Sequence, residues 1–141
     1  DINERASTEE SDAFADIEEK LGVKLPEFYY RPNGMEFLDY EVDEIALYAK
    51  IKYKYEENIL VFYVDKQNKG KTSNVRSING TGKTVYNVMK NDVEILIKKI
   101  EDGDENISTY MATWKDKEIT YYISGKIELE ELKKIINEMK F

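Results

Sequence analysis

A glycine-rich run in the middle of the chain ends in Gly-Lys-Thr, the ending of the phosphate-binding loop in many nucleotide-binding proteins. The run extends from Gly80 to Thr84. The complete motif has another glycine five residues before the final Gly-Lys step, where this chain has Ser77. The surrounding pattern predicts neither the strand that should lead in nor the long helix that should follow. We therefore interpret the run as a glycine turn between two strands.

An acidic run later in the chain has the residue types that a calcium ion prefers. It extends from Glu101 to Asn106 and contains four carboxylates and one amide around a glycine. It lacks the twelve-residue spacing of an EF-hand, with no glycine at the sixth position and no glutamate at the twelfth. We expect a solvated hairpin tip and assign no metal ligand, with weak cation binding as the open alternative.

Aromatic side chains form the third candidate for a functional site. Tyrosine combines a flat apolar ring with a polar hydroxyl, which suits a groove that binds a peptide or a glycan. Tyrosine is also favoured in strands, so a half-buried sheet is the alternative explanation for most of the set. The set comprises Tyr29, Tyr30, Tyr53, Tyr55, Tyr63, Tyr110, Trp114, Tyr121 and Tyr122.

Chemistry that depends on histidine or cysteine is excluded, because the chain contains neither residue. Histidine bases, histidine-containing triads, disulfides and thiolate zinc sites cannot form. With 29 acidic and 21 basic side chains the net charge is -8, which disfavours nucleic acid and anionic membrane surfaces as partners. Carboxylates are so frequent that no glycosidase-like pair stands out. We assign no catalytic residue and no cofactor.

The amino-terminal part of the chain is predicted to be a helix followed by an extended segment. Ser7 has the character of a helix cap, with Glu10 at the capping-box position three residues later, and Gly22 ends the helix. The segment from Val23 to Tyr30 contains a proline, which blocks a helix and favours an extended chain. A turn is predicted at Arg31 to Gly34 because proline and glycine lie in the usual places.

Strand patterns begin after this turn. Ile45 to Tyr55 is the clearest strand, because its apolar side chains alternate with lysines. This alternation predicts that one face of the strand is exposed to solvent. Ile59 to Val64 has no polar break, which predicts a central strand covered on both faces. The polar residues from Asp65 to Ser77 are expected to form a loop. Further strands are predicted at Met35–Tyr40, Val85–Met89, Val93–Ile100, Ile107–Trp114 and Glu118–Ile123.

The carboxyl-terminal end of the chain combines a strand and a helix across one turn. Ile119, Tyr121 and Ile123 alternate along the predicted strand, and Gly125 is expected to form a tight exit from it. Apolar residues then recur at helical spacing from Leu129 to Met139. Neither apolar face can be buried alone, so the helix must cover a sheet.

Together these patterns predict one α+β domain at residues 7–141, with residues 1–6 disordered or a linker. The domain is expected to have a single antiparallel sheet of about six or seven strands packed by a C-terminal helix. An additional N-terminal helix is expected at an edge or on the same face. Because the chain opens with Asp1 rather than methionine, we also expect it to be a fragment, which leaves room for a leader or anchor before Asp1.

The order of these elements resembles the domain of unknown function 4367 family of low-GC Gram-positive bacteria. The resemblance extends from about Ala15 to Met139 and includes the leading helix and the strand that contains Trp114. Where the family usually has serine or threonine before the last helix, this chain has Glu128, a poorer cap, so we expect a frayed first turn. The matching pieces are Leu25-Pro26-Glu27-Phe28-Tyr29-Tyr30-Arg31-Pro32-Asn33-Gly34-Met35, Ile119-Thr120-Tyr121-Tyr122-Ile123-Ser124-Gly125 and Glu130-Glu131-Leu132.

The family resemblance implies a location and a class of function, but it provides no catalytic residue. Members look like the extracytoplasmic part of single-span proteins, some with anti-sigma-like or regulatory amino-terminal regions. By pattern alone, the arrangement is also similar to the C-terminal domain of periplasmic regulators of anti-sigma factors in Gram-negative bacteria. We therefore expect an extracytoplasmic, cell-surface or secreted bacterial protein, with membrane attachment only through an anchor before Asp1.

We predict a non-catalytic domain that senses a ligand or interacts with a protein, in a setting such as anti-sigma-type regulation. Its partner is expected to be a protein, a peptide or a cell-wall ligand. The alternatives are a carboxylate-dependent glycan hydrolase and a lipid or lipopeptide carrier, which needs a large apolar cavity between sheet and helix. The predicted binding residues are Tyr29, Tyr30, Lys66, Lys69 and Lys71.

Overall fold

One antiparallel sheet of seven strands carries two helices in this computed structural model, which describes residues 7–66, 82–101 and 108–141. The predicted α+β class and single antiparallel sheet are confirmed. The predictions for residues 1–6, 67–81 and 102–107 lie outside the described residues. The elements are α1 (Thr8–Leu21), β1 (Met35–Asp43), β2 (Tyr48–Tyr55), β3 (Asn58–Asp65), β4 (Lys83–Lys90), β5 (Val93–Glu101), β6 (Ser108–Asp116), β7 (Ile119–Ile127) and α2 (Leu129–Asn137).

The strands lie side by side in the order β1-β2-β3-β7-β6-β5-β4, so β7 is the central strand. It pairs with β6 from Asp116 and Ile119 at their shared turn to Ser108 and Ile127 at the other end. Its other edge pairs with β3. Both edges of β7 are therefore hydrogen-bonded, and its buried side chains include Tyr121, Tyr122 and Ile123.

Both helices lie on the same face of the sheet. The ring of Phe14 in α1 lies 6.3 Å from the ring of Phe62 in β3. Ile135 in α2 lines a small gap together with Phe62 and Ile123 of the sheet. None of the helices within the described ranges is long and apolar enough to cross a membrane. The sheet therefore has one face buried under helices, and the N-terminal helix is on the same face as predicted.

The prediction that the third strand is covered on both faces is wrong. Leu60, Phe62 and Val64 are buried in β3, whereas the intervening Ile59 is 45% exposed and Tyr63 is only half-buried. Because the helices pack on one face, the second face of an antiparallel sheet stays accessible to water even where the sequence is apolar.

The predicted strand at Ile45–Tyr55 begins three residues late. Its alternation is confirmed from Tyr48 onward, but Ile45 is 93% exposed. The Asp43 carboxylate accepts hydrogen bonds from the backbone N–H groups of Ile45 and Ala46, each at 2.9 Å. This side-chain turn holds the chain out of the sheet until Leu47, whose φ is +62°.

Helix α1 has the predicted boundaries. The Ser7 hydroxyl accepts a hydrogen bond from the backbone N–H of Glu10 at 3.1 Å. Gly22 ends the helix in the left-handed conformation, with φ of +66°, and its N–H donates to the carbonyl of Glu18. The glycine is needed because a side chain disfavours this backbone conformation.

Residues 23–34, which we call the connecting segment, pass between the two helices over the sheet. Phe28 anchors the segment, since its ring lies 5.2 Å from Phe62 and 6.2 Å from Phe14. Two backbone hydrogen bonds, of 2.8 and 2.9 Å, join Glu27 to Lys140 near the end of the chain. The segment is therefore fixed at its middle by core packing and by a short backbone pair.

Glu128 precedes α2 in an extended conformation, and its side chain makes no cap bond to the helix. Its carboxylate instead accepts a hydrogen bond from the Tyr55 hydroxyl at 2.6 Å. Helix α2 itself buries an apolar face of Leu132, Ile135 and Ile136. Glu128 thus contacts strand β2 instead of capping the helix.

Gly125 does not form the predicted tight exit from the last strand, because β7 continues through it to Ile127. A Cβ atom on Gly125 would lie 2.5 Å from a methyl carbon of Leu60 and 2.7 Å from the carbonyl oxygen of Ile59. The glycine is therefore needed for the close approach of β3 to β7 rather than for a turn.

Candidate functional site

The residues predicted to bind a ligand are not brought together. Tyr29 is 38% exposed and lines a groove beside α1, whereas Lys66 lines a second cavity at the end of that helix. Tyr30 packs towards α2 and hydrogen-bonds with Glu131. The other two predicted residues, Lys69 and Lys71, lie outside the described residues.

Tyr30 links the connecting segment to the start of α2. Its hydroxyl donates to the Glu131 carboxylate at 2.5 Å, and this hydrogen bond, with a smaller effect of burial, raises the pKa of Tyr30 to about 12. The ammonium of Lys134 lies 5.6 Å from the centre of its ring. These contacts use the hydroxyl and one face of the ring to hold the helix.

Lys66 stabilises the carboxyl-terminal end of α1. Its ammonium donates to the carbonyl oxygen of Leu21 at 2.7 Å, and its backbone N–H donates to the carbonyl of Leu47 at 2.9 Å. A cation is favoured at this end of a helix, because the unpaired carbonyl groups carry partial negative charge. Lys66 therefore has a structural contact as well as a place at the edge of a cavity.

The groove beside α1 has a volume of about 360 Å³ and a buried ion pair at its base. Arg31 and Glu10, with side chains 7% and 3% exposed, approach to 3.0 Å. The Glu10 carboxylate also accepts from the Tyr53 hydroxyl at 2.6 Å, and Arg31 donates to the Phe28 carbonyl. Burial, with Glu10 as the next cause, raises the pKa of Tyr53 well above its ordinary value. The network joins the connecting segment to α1 and β2.

A larger cavity, of about 650 Å³, lies where the end of α1 meets the β6–β7 turn. Its volume is within the range of small-ligand sites. We call it the turn cavity. It is lined by Gly22, Val23, Lys24, Pro26, Lys66, Trp114, Asp116, Lys117, Glu118, Ile119, Tyr121 and Phe141.

Stacked aromatic rings form the inner wall of the turn cavity. The ring of Trp114 lies 5.2 Å from that of Tyr121 at an interplanar angle of 12°, and 6.4 Å from that of Phe141 at 23°. The Tyr121 hydroxyl lies 3.4 Å from the carbonyl oxygen of Lys24. Burial, with a smaller effect of Asp116, raises the pKa of Tyr121 to about 12. The wall is thus packed and held in place before any ligand arrives.

Charged side chains of both signs surround this wall. Lys24, Lys66 and Lys117 provide three cations, and Asp116 and Glu118 provide two anions. Across residues 7–66, 82–101 and 108–141, no three carboxylates converge as a metal ion would require. The chemistry available at the cavity is therefore an apolar surface with single charges beside it, which can bind a ligand by apolar contact and ion pairing.

Sequence reasoning named two members of this site, Trp114 and Tyr121, within the aromatic set, and it placed Lys66 at a binding surface. It missed Lys117, which the pattern placed in a connection between two strands, and Glu118, which it placed at the start of the last strand. The sequence does carry a signal there: a two-residue turn between strands without glycine or asparagine. Other members of the aromatic set lie elsewhere, such as Tyr53 in the buried network.

The space between the sheet and α2 is filled. A gap lined by Phe28, Leu60, Phe62 and Ile135, among others, has a volume of about 10 Å³. This is no larger than the space a single water molecule needs. A lipid chain would need a much larger opening at this place, so the turn cavity, rather than the interior, is the candidate site.

The sequence of the chain matches the model of a known protein family. The family model of domain of unknown function 4367 (DUF4367) matches residues 25–139, which include the connecting segment from Leu25, the whole sheet and α2. Most of the lining of the turn cavity lies within this range. Searches of curated proteins and of solved structures found no match. The chain belongs to the DUF4367 family.

Proposed function

We propose that this chain is a non-catalytic binding domain, acting outside the cytoplasm in ligand sensing or protein interaction, and that its ligand enters the turn cavity. The observation that supports the proposal is the cavity itself: about 650 Å³ with an aromatic wall and charges beside it. Sites for small ligands have this size and this combination of apolar surface with a few polar groups.

The fixed geometry of the cavity favours binding. Its aromatic wall is stacked, since the rings of Trp114 and Tyr121 lie nearly parallel. The end of α1 is held by the bond from Lys66 to Leu21, so the other side of the cavity is fixed too. A site that is formed in advance loses little conformational entropy when the ligand arrives.

A binding role also agrees with the residue types at the cavity. Its wall is aromatic and aliphatic, and the chain has no histidine or cysteine to act as a base or nucleophile. The extracytoplasmic location is part of the proposal through the family resemblance, and anti-sigma-type regulation is a process that such sensing would serve.

The test uses Trp114, the only tryptophan in the chain, as a reporter inside the cavity wall. Three probes are titrated separately: tri-N-acetylglucosamine, muramyl dipeptide and the blocked tetrapeptide Lys-Phe-Leu-Glu. We expect a saturable change in tryptophan fluorescence with at least one probe. In two-dimensional NMR spectra the same probe should shift the amide signals of Gly22 to Pro26 and Asp116 to Ile119, apart from the proline, which has no amide proton.

A pair of matched variants distinguishes the cavity from the rest of the sheet. Ile119→Phe replaces an aliphatic side chain in the cavity lining by a larger aromatic one. Ile59→Phe makes the same replacement on the exposed face of the sheet. We expect Ile119→Phe to weaken binding of the responding probe about tenfold and Ile59→Phe to leave it unchanged. Amide shifts confined to other parts of the sheet, or no saturable response to any probe, would contradict the proposal.

A further inference from the structure

Two hairpin turns in the sheet share one backbone conformation but differ in residue type. The β4–β5 turn has Asn91 and Asp92 at φ of +49° and +66°. The β6–β7 turn has Lys117 and Glu118 at +53° and +68°. Asparagine and aspartate tolerate this left-handed region, whereas lysine and glutamate with their longer side chains are uncommon there. The turn at the cavity therefore has two strained residues in succession, whereas the β2–β3 turn has one, Glu56, at +57°.

Contacts within the protein do not account for the choice of lysine and glutamate. Both side chains are exposed, and within the described part of the chain neither Lys117 nor Glu118 takes part in an ion pair or a hydrogen bond. Strained residues cluster at functional sites, so a strained turn beside a cavity is a reason to infer a role in binding. Both residues line the turn cavity, so their charged groups are available to a molecule that enters it.

On the basis of the proposed function, we infer that the ligand is a peptide segment with charged side chains of both signs on either side of an apolar side chain. The apolar side chain enters the turn cavity against Ile119 and Phe141, which are partly exposed. Lys117 pairs with an acidic side chain of the peptide, and Glu118 pairs with a basic one. The two turn residues are thus specificity determinants of the site.

The balance of charge favours a peptide over other ligand classes. Lys24 and Lys117 line the same cavity as Asp116 and Glu118, so groups of both signs of charge surround one opening. A polyanion would be repelled by the two carboxylates and by the net charge of -8. A neutral glycan could form hydrogen bonds with these side chains through its hydroxyls, but it has no charge with which to form an ion pair. A peptide can offer an apolar side chain and both signs of charge within a few residues.

The test compares four peptides with blocked termini, so that only side chains carry charge. Two carry both charges, Lys-Phe-Leu-Glu and the exchanged Glu-Phe-Leu-Lys, and the third is the uncharged Gln-Phe-Leu-Gln. The fourth, Lys-Gly-Ser-Glu, lacks a large apolar side chain and is called the apolar-poor peptide. Binding to the wild-type protein is measured by calorimetry at low and at physiological salt. We expect one of the two mixed-charge peptides to bind about fivefold more tightly than the uncharged one, with the preference reduced by salt. The apolar-poor peptide should bind most weakly.

Variants of the turn identify the residues that read the charges. The double variant Lys117→Glu/Glu118→Lys should prefer the peptide with the reversed order, which a purely structural role would not produce. The double variant Lys117→Asn/Glu118→Gly relieves the strain, so we expect a higher urea midpoint and no preference between the peptides. The control Asp92→Gly changes the other turn and should leave the preference intact.

The possible results separate this inference from the proposed function. Equal binding of all four peptides, or an unchanged preference in the charge-exchanged variant, would overturn the inference while leaving the cavity as a binding site. Saturable binding of tri-N-acetylglucosamine alone would also overturn it, since that probe carries no charge. Absence of any response to all probes would instead contradict the proposed function.

Discussion

Glu10 lies in the first turn of α1, as the sequence predicts, but its carboxylate makes other contacts than those of a capping box. It occupies the capping-box position after Ser7, where a glutamate usually bonds back to the backbone of the cap residue. In the structure the serine half of the box forms, since the Glu10 N–H donates to the Ser7 hydroxyl at 3.1 Å. The Glu10 carboxylate points inward to Arg31 and Tyr53. Local sequence patterns cannot predict these two contacts, because Arg31 and Tyr53 are 21 and 43 residues away from Glu10 in the chain.

Replacing Glu10 by alanine should destabilise the protein by about 3–5 kcal/mol, because it leaves the Arg31 charge buried without its carboxylate. The control is Glu130→Ala, which also removes a glutamate from the first turn of a helix. The Glu130 side chain is 77% exposed in its pair with Lys133, so we expect a loss below about 1 kcal/mol. The free energy of unfolding in urea measures both changes, and equal losses would contradict a stabilising role of the buried pair.

At the scale of elements, α2 is held at its beginning by tyrosine hydroxyls rather than by a cap. Tyr55 from β2 binds Glu128, and Tyr30 from the connecting segment binds Glu131. The prediction of a poor local cap is consistent with Glu128 making no cap bond, but the helix start is nevertheless fixed to its neighbours. The remaining stability of the helix comes from its buried apolar face, which the helical spacing in the sequence predicts correctly.

Replacing Leu132 or Ile135 by alanine should each cost about 2–5 kcal/mol, because both side chains are 1% exposed and their removal leaves a cavity. Glu130→Ala in the same helix is the control, since 77% of its side chain is exposed. Its effect should stay below about 1 kcal/mol. Chemical denaturation followed by circular dichroism measures all three. Losses near zero at both apolar positions would mean that α2 is not docked on the sheet.

For the molecule as a whole, the raised pKa values of several tyrosines predict that the folded protein loses stability at alkaline pH. Burial raises the pKa of Tyr53, Tyr55 and Tyr121, and the bond to Glu131 raises that of Tyr30. The folded protein therefore favours the protonated phenol more strongly than the unfolded chain does. Their contribution to stability is complete below the ordinary value of 10.0 and is lost as the pH rises through the folded values.

We expect the protein to stay folded at pH 9 and to unfold between about pH 10 and 12, the interval set by the pKa of about 12 for Tyr30 and Tyr121. Absorbance at the tyrosinate band and Trp114 fluorescence are recorded across this range. The absorbance of the shifted tyrosines should rise together with the change in fluorescence. Ionisation of all eleven tyrosines near pH 10, with unchanged fluorescence, would contradict the prediction.

The amino-acid sequence by itself determined the helix between Ser7 and Gly22, the alternation along β2, the apolar face of α2 and the α+β class. These features depend on caps, periodicity and propensity over a few neighbouring residues, and such short-range effects are present in any stretch of sequence. The order of the elements, including the strand that contains Trp114, also indicated the DUF4367 family, and the match to residues 25–139 confirms this prediction.

Only the tertiary structure decided which face of β3 is covered, why Gly125 must lack a side chain and which residues line the turn cavity. The cavity joins the end of α1, the start of the connecting segment, Lys66, the β6–β7 turn and Phe141. These pieces meet because a seven-stranded sheet places the ends of distant strands beside one helix end. Contacts across such sequence distances depend on strand order and packing, which no local pattern specifies.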